Sequence, residues 1–301
     1  MKYFLRLNTL GDCPELPIDS ERFLLLKNAR RILSEAFSIE EEYEMIIYNY
    51  IELEKKSINT SISNMVRNYR GYFDSFDARL ALNIKLMNLF TTVKLYHDRL
   101  VAHCASCLPK ESGTQEAIDL LFSTEYDKNF EYRFMEALRN YNQHYGTAVH
   151  LVSFGSRWTS HDDQGLLEFS SSFMADKKFL SKDEYFKKKV LDEMPEKVDL
   201  ISASRCYVEA ISSIHTSARK MISKSINEAR TVIQTAIDDY KLDYKKDFVS
   251  LSAYMFDSEN KKDEVLLILE WDNIRIELEN RNCQLINLKK RYATGQLKSK
   301  K

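Results

Sequence analysis

Glycine and proline are scarce in this chain, 7 and 4 among 301 residues. So few turn formers exclude a many-turned β sandwich and favour long helices, whose interiors reject both residue types. Cysteine is also scarce and odd in number: Cys13, Cys104, Cys107, Cys206 and Cys283 are scattered, which is not a disulfide framework. No apolar run approaches the roughly 18 residues that would span a bilayer. The opening M-K-Y-F-L-R-L lacks the apolar core of a signal peptide, so a cytoplasmic protein without a membrane segment is expected. An excess of one charge is missing too. A formal net charge of −1 excludes a protein that coats nucleic acid and confines any such contact to a local patch.

What is present is a 44% hydrophobic content in a chain long enough for one large or two ordinary domains. K-Y-F-L-R-L reads as a short strand. With Ser20 as N-cap, Phe23, Leu24, Ala29, Ile32 and Leu33 predict a helix to about Phe37. Ser38 then caps a second helix carrying Tyr43, Ile46, Ile47, Tyr50 and Ile51, and a third runs from Phe76 toward Cys107. Pro109 breaks the pattern, Thr114 caps a short helix, and the next begins near Asn129 and stops near Gly146, a natural residue just past a helix end. T-A-V-H-L-V-S-F and G-L-L-E-F-S-S-S-F then predict a β hairpin. Helices return over D-E-Y-F-K-K-K-V-L-D-E-M and over Asp199 to Tyr244. F-V-S-L-S-A-Y-M-F and D-E-V-L-L-I-L-E-W are strand-like, I-R-I-E-L-E-N-R fits strand or helix, and the basic tail from Leu288 reads as frayed.

One polar stretch stands out, L-R-N-Y-N-Q-H-Y-G from Leu138 to Gly146. An arginine followed by a histidine at such spacing arises by chance about once in a chain of this composition. Context sharpens it: Asn140 follows Arg139 directly, and the stretch ends an amphipathic helix after a run of bundle helices. Histidine serves as general acid or base near neutral pH, which suits His144. Arg139 can hold a phosphate through paired donors and stabilise transition-state charge. Asn140, four residues before His144, shares its helix face and can orient it. Arg139 and His144 lie about 140° apart on a regular helix, so convergence requires an unwound last turn or a second subunit. The plain alternative is that these side chains satisfy carbonyls and the dipole at a helix C-terminus.

The helix order and the motif Arg139-Asn140-x3-His144 resemble the HEPN superfamily over about residues 20 to 146. With the composition, the hairpin and the later helices and strands read above, that resemblance completes the expected fold: mostly α, a HEPN-like helical bundle with a small β hairpin or sheet addition and a C-terminal helical (α+β) extension. It implies a metal-independent endoribonuclease without cofactor, in which the ribose 2′-OH attacks the adjacent phosphate to leave a 2′,3′-cyclic phosphate and a 5′-OH. Arg139, Asn140 and His144 would be catalytic, with Gln143, Tyr141 and Tyr145 candidates for substrate contact, since aromatics beside a phosphate can stack a base. It further implies RNA as substrate, a homodimer, and an antitoxin or defence-system partner for a toxin or antiviral effector. One HEPN subgroup carries a modified Tyr two places after the His. Here Gly146 stands there, with Tyr145 one place early, so the modification-type reading does not carry over.

Competing chemistry is thinly supported. Cys104 and Cys107 form C-x-x-C beside His103, but no second pair completes a four-ligand zinc site, and they read as small buried residues. G-x-x-x-x-G-K-[ST], G-x-S-x-G and H-E-x-x-H are all missing. His97, His103, His150, His161 and His215 read as structural. A division at residues 1–180, the HEPN-like bundle with short strands, and 181–301, an extension without a readable motif, is expected. The second functional reading is a non-catalytic binding or regulatory module that keeps the bundle.

Overall fold

The computed structural model describes residues 1–9, 13–67, 71–110, 112–160, 165–244 and 250–293. His161, Phe248, Val249 and the tail lysines Lys298, Lys300 and Lys301 lie outside them. The chain is mostly α. Its helices are α1 (Ser20–Val66), α2 (Tyr72–Cys107), α3 (Thr114–Lys128), α4 (Phe130–His144), α5 (Lys177–Leu180), α6 (Lys188–Glu193), α7 (Leu200–Tyr244) and α8 (Glu270–Arg281). The strands are β1 (Lys2–Leu7), β2 (Leu16–Pro17), β3 (Leu151–Trp158), β4 (Leu167–Asp176), β5 (Lys197–Asp199), β6 (Leu251–Asp257) and β7 (Asn260–Leu266).

Two compact units arise from interleaved segments: Met1–Glu44, Tyr96–Asp119 and Thr216–Cys283 make the first, and Met45–Leu95, Leu120–His215 and Gln284–Lys301 the second. The boundary expected after residue 180 falls inside the second unit, because α1, α2 and α7 each supply residues to both.

In the first unit a four-stranded antiparallel sheet runs β2-β1-β6-β7, with Phe4 opposite Tyr254. Leu5, Leu26, Leu33 and Ile233 are fully buried in its core. Asp272 is fully buried between the guanidinium groups of Arg230 and Arg275, which supply the charge that makes such a burial tolerable. Arg30 lies 3.8 Å above the Trp271 ring centroid. Cys104 and Cys107 are both buried, and burial pushes each thiol up to about 12.

In the second unit the antiparallel order is β3-β4-β5, with Phe154 opposite Ser171. Leu82, Leu86, Phe134, Leu138, Phe173 and Tyr207 form the core around which α4 is laid. The hairpin expected after Gly146 is present as β3 and β4.

Several local expectations are corrected. Ser38 caps nothing: its hydroxyl donates to the Ser34 carbonyl at 3.2 Å, one turn back, and α1 continues through it. Asp19, not Ser20, caps α1, accepting from the Arg22 N–H at 2.7 Å. D-E-Y-F-K-K-K-V-L-D-E-M is helical only over Lys188–Glu193, and the Asp183 side chain instead accepts the Tyr185 N–H at 2.8 Å in a turn. The strand read into D-E-V-L-L-I-L-E-W ends at Leu266, and I-R-I-E-L-E-N-R is helical within α8. The expected frayed tail is docked through residue 290: Leu288 is buried, and the Lys289 ammonium pairs with Glu131 at 2.6 Å.

Candidate active site

The α4 helix explains why L-R-N-Y-N-Q-H-Y-G ends at the surface. Asn129 caps its start, accepting the Tyr132 N–H at 3.4 Å. Tyr132, Phe134, Met135, Ala137 and Leu138 then form an apolar stripe that buries one face. The opposite face carries Asn140, Gln143 and His144, all exposed. The Tyr145 and Gly146 N–H groups both donate to the Tyr141 carbonyl, at 2.9 and 3.1 Å, which ends the helix.

Gly146 closes the helix for a reason other than a left-handed turn, since its φ is not positive. A Cβ added there would stand 2.6 Å from the Tyr141 hydroxyl and 3.0 Å from Cζ. A side chain at 146 would therefore have to displace the hydroxyl end of the Tyr141 ring, which lies against the turn.

Arg139 does not share the exposed face. It is buried, on the side of α4 that carries Leu138 and Met135. Its guanidinium pairs with Glu136 at 3.1 Å and donates to the Asn140 Oδ1 at 3.1 Å. Glu136 also accepts from the Tyr207 hydroxyl, and Arg139 Nε has no hydrogen-bond partner. Burial raises the Tyr132 and Tyr207 hydroxyls above the ordinary tyrosine value, with Glu136 adding to the rise and Arg139 opposing it. Arg139 thus belongs to a buried polar cluster with Glu136, Tyr132 and Tyr207.

Across the turn, the His144 imidazole makes no hydrogen bond among the described residues and meets the Tyr145 ring edge at 6.0 Å between centroids. The motif is thereby divided. Asn140 joins the halves, bonded to Arg139 on one side and one helical turn from His144 on the other. As arranged, His144 shares an exposed face with Asn140 and Gln143, while the Arg139 charge is opposed by Glu136. Arg139 and His144 converge on one phosphate only if the Arg139–Glu136 pair opens or a second chain presents its own motif.

Tyr141 and Tyr145 both line a cleft next to Asn140, with Tyr126, Arg133, Asp183, Tyr185 and Lys187. Burial raises the Tyr141 and Tyr145 hydroxyls; the nearby Asp183 charge adds to both, and Tyr185 to that of Tyr145. Of these neighbours, Glu136 was legible as an acid one turn before Arg139, whereas Asp183 and Tyr185 stand some forty positions on with no spacing signal.

Elsewhere, His103 Nδ1 lies 2.6 Å from Glu35, within the first unit, and His150 Nδ1 accepts the Asp176 N–H at 3.0 Å. No group of His, Cys, Asp and Glu that could hold a metal occurs among the described residues. No helix among them is long and apolar enough to cross a membrane. No protein-family model, curated protein or solved structure matches the chain.

Proposed function

We propose that the chain is a HEPN-like, metal-independent endoribonuclease that acts as a homodimer. The observation that supports it is the exposed pair Asn140 and His144 at the end of α4, tied directly to Arg139 by the Asn140 Oδ1 bond. In this reading one His144 takes the proton of the ribose 2′-OH as the 2′ oxygen attacks phosphorus. The departing 5′ oxygen takes its proton from water, leaving a 2′,3′-cyclic phosphate and a 5′-OH. Asn140 orients the phosphate, and Arg139 stabilises its charge once Glu136 gives way.

A second copy is the partner that the division of the motif calls for. Its docking is supported by two exposed apolar rows in the second unit: Tyr48, Ile51, Ile58 and Ile62 on α1, and Phe73, Phe76, Leu80 and Ile84 on α2. A toxin or defence effector held in check by an antitoxin-like protein fits such an enzyme. Mixing two dead chains, Arg139→Gln and His144→Ala, tests the composite site. If each site takes Arg139 from one copy and His144 from the other, mixed dimers regain one intact site and cleave RNA. If both residues act within one chain, the mixture stays dead.

The second reading is a non-catalytic binding module, favoured by the burial of Arg139 and its pairing with Glu136. Incubation of the protein with total RNA in EDTA separates the two, since only the nuclease leaves cyclic-phosphate ends.

A further inference from the structure

The cleft beside Asn140 has a volume of about 180 Å³, below the roughly 300–1,000 Å³ of drug-sized ligand sites and room for a single flat ring. Two of its aromatic side chains come from separate parts of the chain. Tyr145 caps α4, and Tyr185 projects from the turn between α5 and α6. Their rings are parallel within 7° at 5.1 Å between centroids, yet Tyr145 is 52% exposed and Tyr185 74% exposed. Burial in a core does not account for a stack so open to solvent. It presents a flat aromatic platform on which another flat ring can lie.

The polar groups say what kind of ring. Asp183 uses one carboxylate oxygen to accept the Tyr185 N–H, fixing the turn that carries the platform. Its other oxygen, Oδ2, is buried and has no hydrogen-bond partner. Glu136 lines the same cleft. Two carboxylates make a poor hole for phosphate, but a spare buried acceptor beside an aromatic platform suits a ring bearing an N–H donor. At the rim, the Lys187 ammonium sits 4.4 Å from the Tyr126 ring centroid and donates to its hydroxyl, placing a cation where a backbone phosphate would pass.

We propose that this cleft takes one unpaired RNA base, stacked on an outer face of the Tyr145–Tyr185 pair, with its exocyclic amine donating to Asp183 Oδ2 and its phosphate toward Lys187. The assignment of RNA as the source of that base rests on the ribonuclease reading; the stacking and the amine recognition do not. Cytosine, adenine and guanine offer an amine to a lone carboxylate oxygen. Uracil offers only an N–H set between two carbonyls, which a carboxylate repels. The site therefore prefers amine-bearing bases next to the phosphate that Asn140 and His144 face.

The test uses the full chain carrying His144→Ala, so that nothing is consumed, titrated by calorimetry with CMP, UMP, hexacytidylate and hexauridylate. CMP is expected to bind about tenfold or more tightly than UMP, and Tyr185→Ala to weaken both by about tenfold. Asp183→Asn keeps an acceptor for the Tyr185 N–H and replaces the free oxygen with a donor, so it is expected to abolish or reverse the preference. Hexacytidylate is expected to bind more tightly than CMP. Equal binding of CMP and UMP, or binding untouched by Tyr185→Ala, overturns the base site. Hexacytidylate binding no tighter than CMP overturns RNA in favour of a free nucleotide. If wild-type protein fails to cleave RNA while CMP selectivity persists, only the catalytic reading falls; cleavage by wild type with no base selectivity removes only this inference.

Discussion

Arg139 and Glu136 form an ion pair of 3.1 Å across one turn of α4, with Arg139 buried and the Tyr207 hydroxyl bonded to the same carboxylate. The residue best suited by type to hold a phosphate is thus also part of the interior of its own unit. Arg139→Ala leaves the Glu136 charge and the Tyr207 hydroxyl without their cation, and is expected to cost on the order of 3 kcal/mol. Urea unfolding checks it. His144→Ala removes an exposed ring and is expected to change stability by less than about 0.5 kcal/mol. Loss of activity in His144→Ala is therefore the cleaner evidence of chemistry, and the same loss in Arg139→Ala carries weight only beside its unfolding curve.

Gly146→Ala is expected to destabilise by about 1–2 kcal/mol, because its Cβ would meet the Tyr141 hydroxyl at 2.6 Å. Tyr141→Leu removes the hydroxyl and the far ring atoms. In that background the cost of Gly146→Ala should fall to a few tenths of a kcal/mol. A double-mutant cycle by chemical denaturation measures the coupling, and a cycle that closes to zero would separate Gly146 from Tyr141.

His150 supplies a pH dependence. Burial holds its imidazole below the ordinary histidine value, with Arg79 in the same direction and Asp176 opposing. The unfolded chain then binds more protons than the folded one as pH falls through about 6.5, so stability is lost in that direction and is fully present above it. His150→Asn keeps an acceptor for the Asp176 N–H and removes the titration. Melting temperatures from pH 8 to pH 5 should fall more steeply in wild type than in His150→Asn; parallel curves would remove His150 as the cause.

The thiols should react in order of burial. Cys283 is exposed, whereas Cys104 and Cys107 are buried with their thiols pushed up to about 12, leaving almost no thiolate at neutral pH. A disulfide-exchange reagent is expected to label Cys283 within minutes, and Cys104 and Cys107 only on unfolding. Fast labelling of Cys104 in native protein would contradict the buried reading of C-x-x-C.

Helices and strands with strong periodicity were legible in the sequence: α2, α4, α7 and the β3–β4 hairpin lie where apolar spacing puts them. Boundaries set by one polar residue were not. Ser38 has the chemistry of a cap, yet the apolar stripe continues past it and the hydroxyl bonds back within α1. Trp271 extends a strand-like run, but it lies in α8, where it packs against Arg30 and Phe37. The two-unit arrangement was hidden because α1, α2 and α7 each cross from one unit to the other without any break in composition.

For the site, the shared face of Asn140 and His144 followed from helix spacing, as did the divergence of Arg139 from His144. Glu136 was readable as the acid three residues before Arg139, but which charge Arg139 would answer to depends on Tyr207, 68 positions on, which only the folded chain brings near. The Tyr145–Tyr185 platform was hidden for the same reason, since Tyr185 sits in a turn where the sequence pattern suggested helix.

The function proposed for the Asn140–His144 face is RNA cleavage that needs no metal. Purified wild-type protein incubated with total RNA in EDTA, with cleaved ends mapped by their chemistry, tests it most directly. The expected result is 2′,3′-cyclic phosphate and 5′-OH ends that disappear in His144→Ala while its unfolding curve stays unchanged. Intact RNA after incubation with wild type as a dimer, or the same ends produced by His144→Ala, would contradict it.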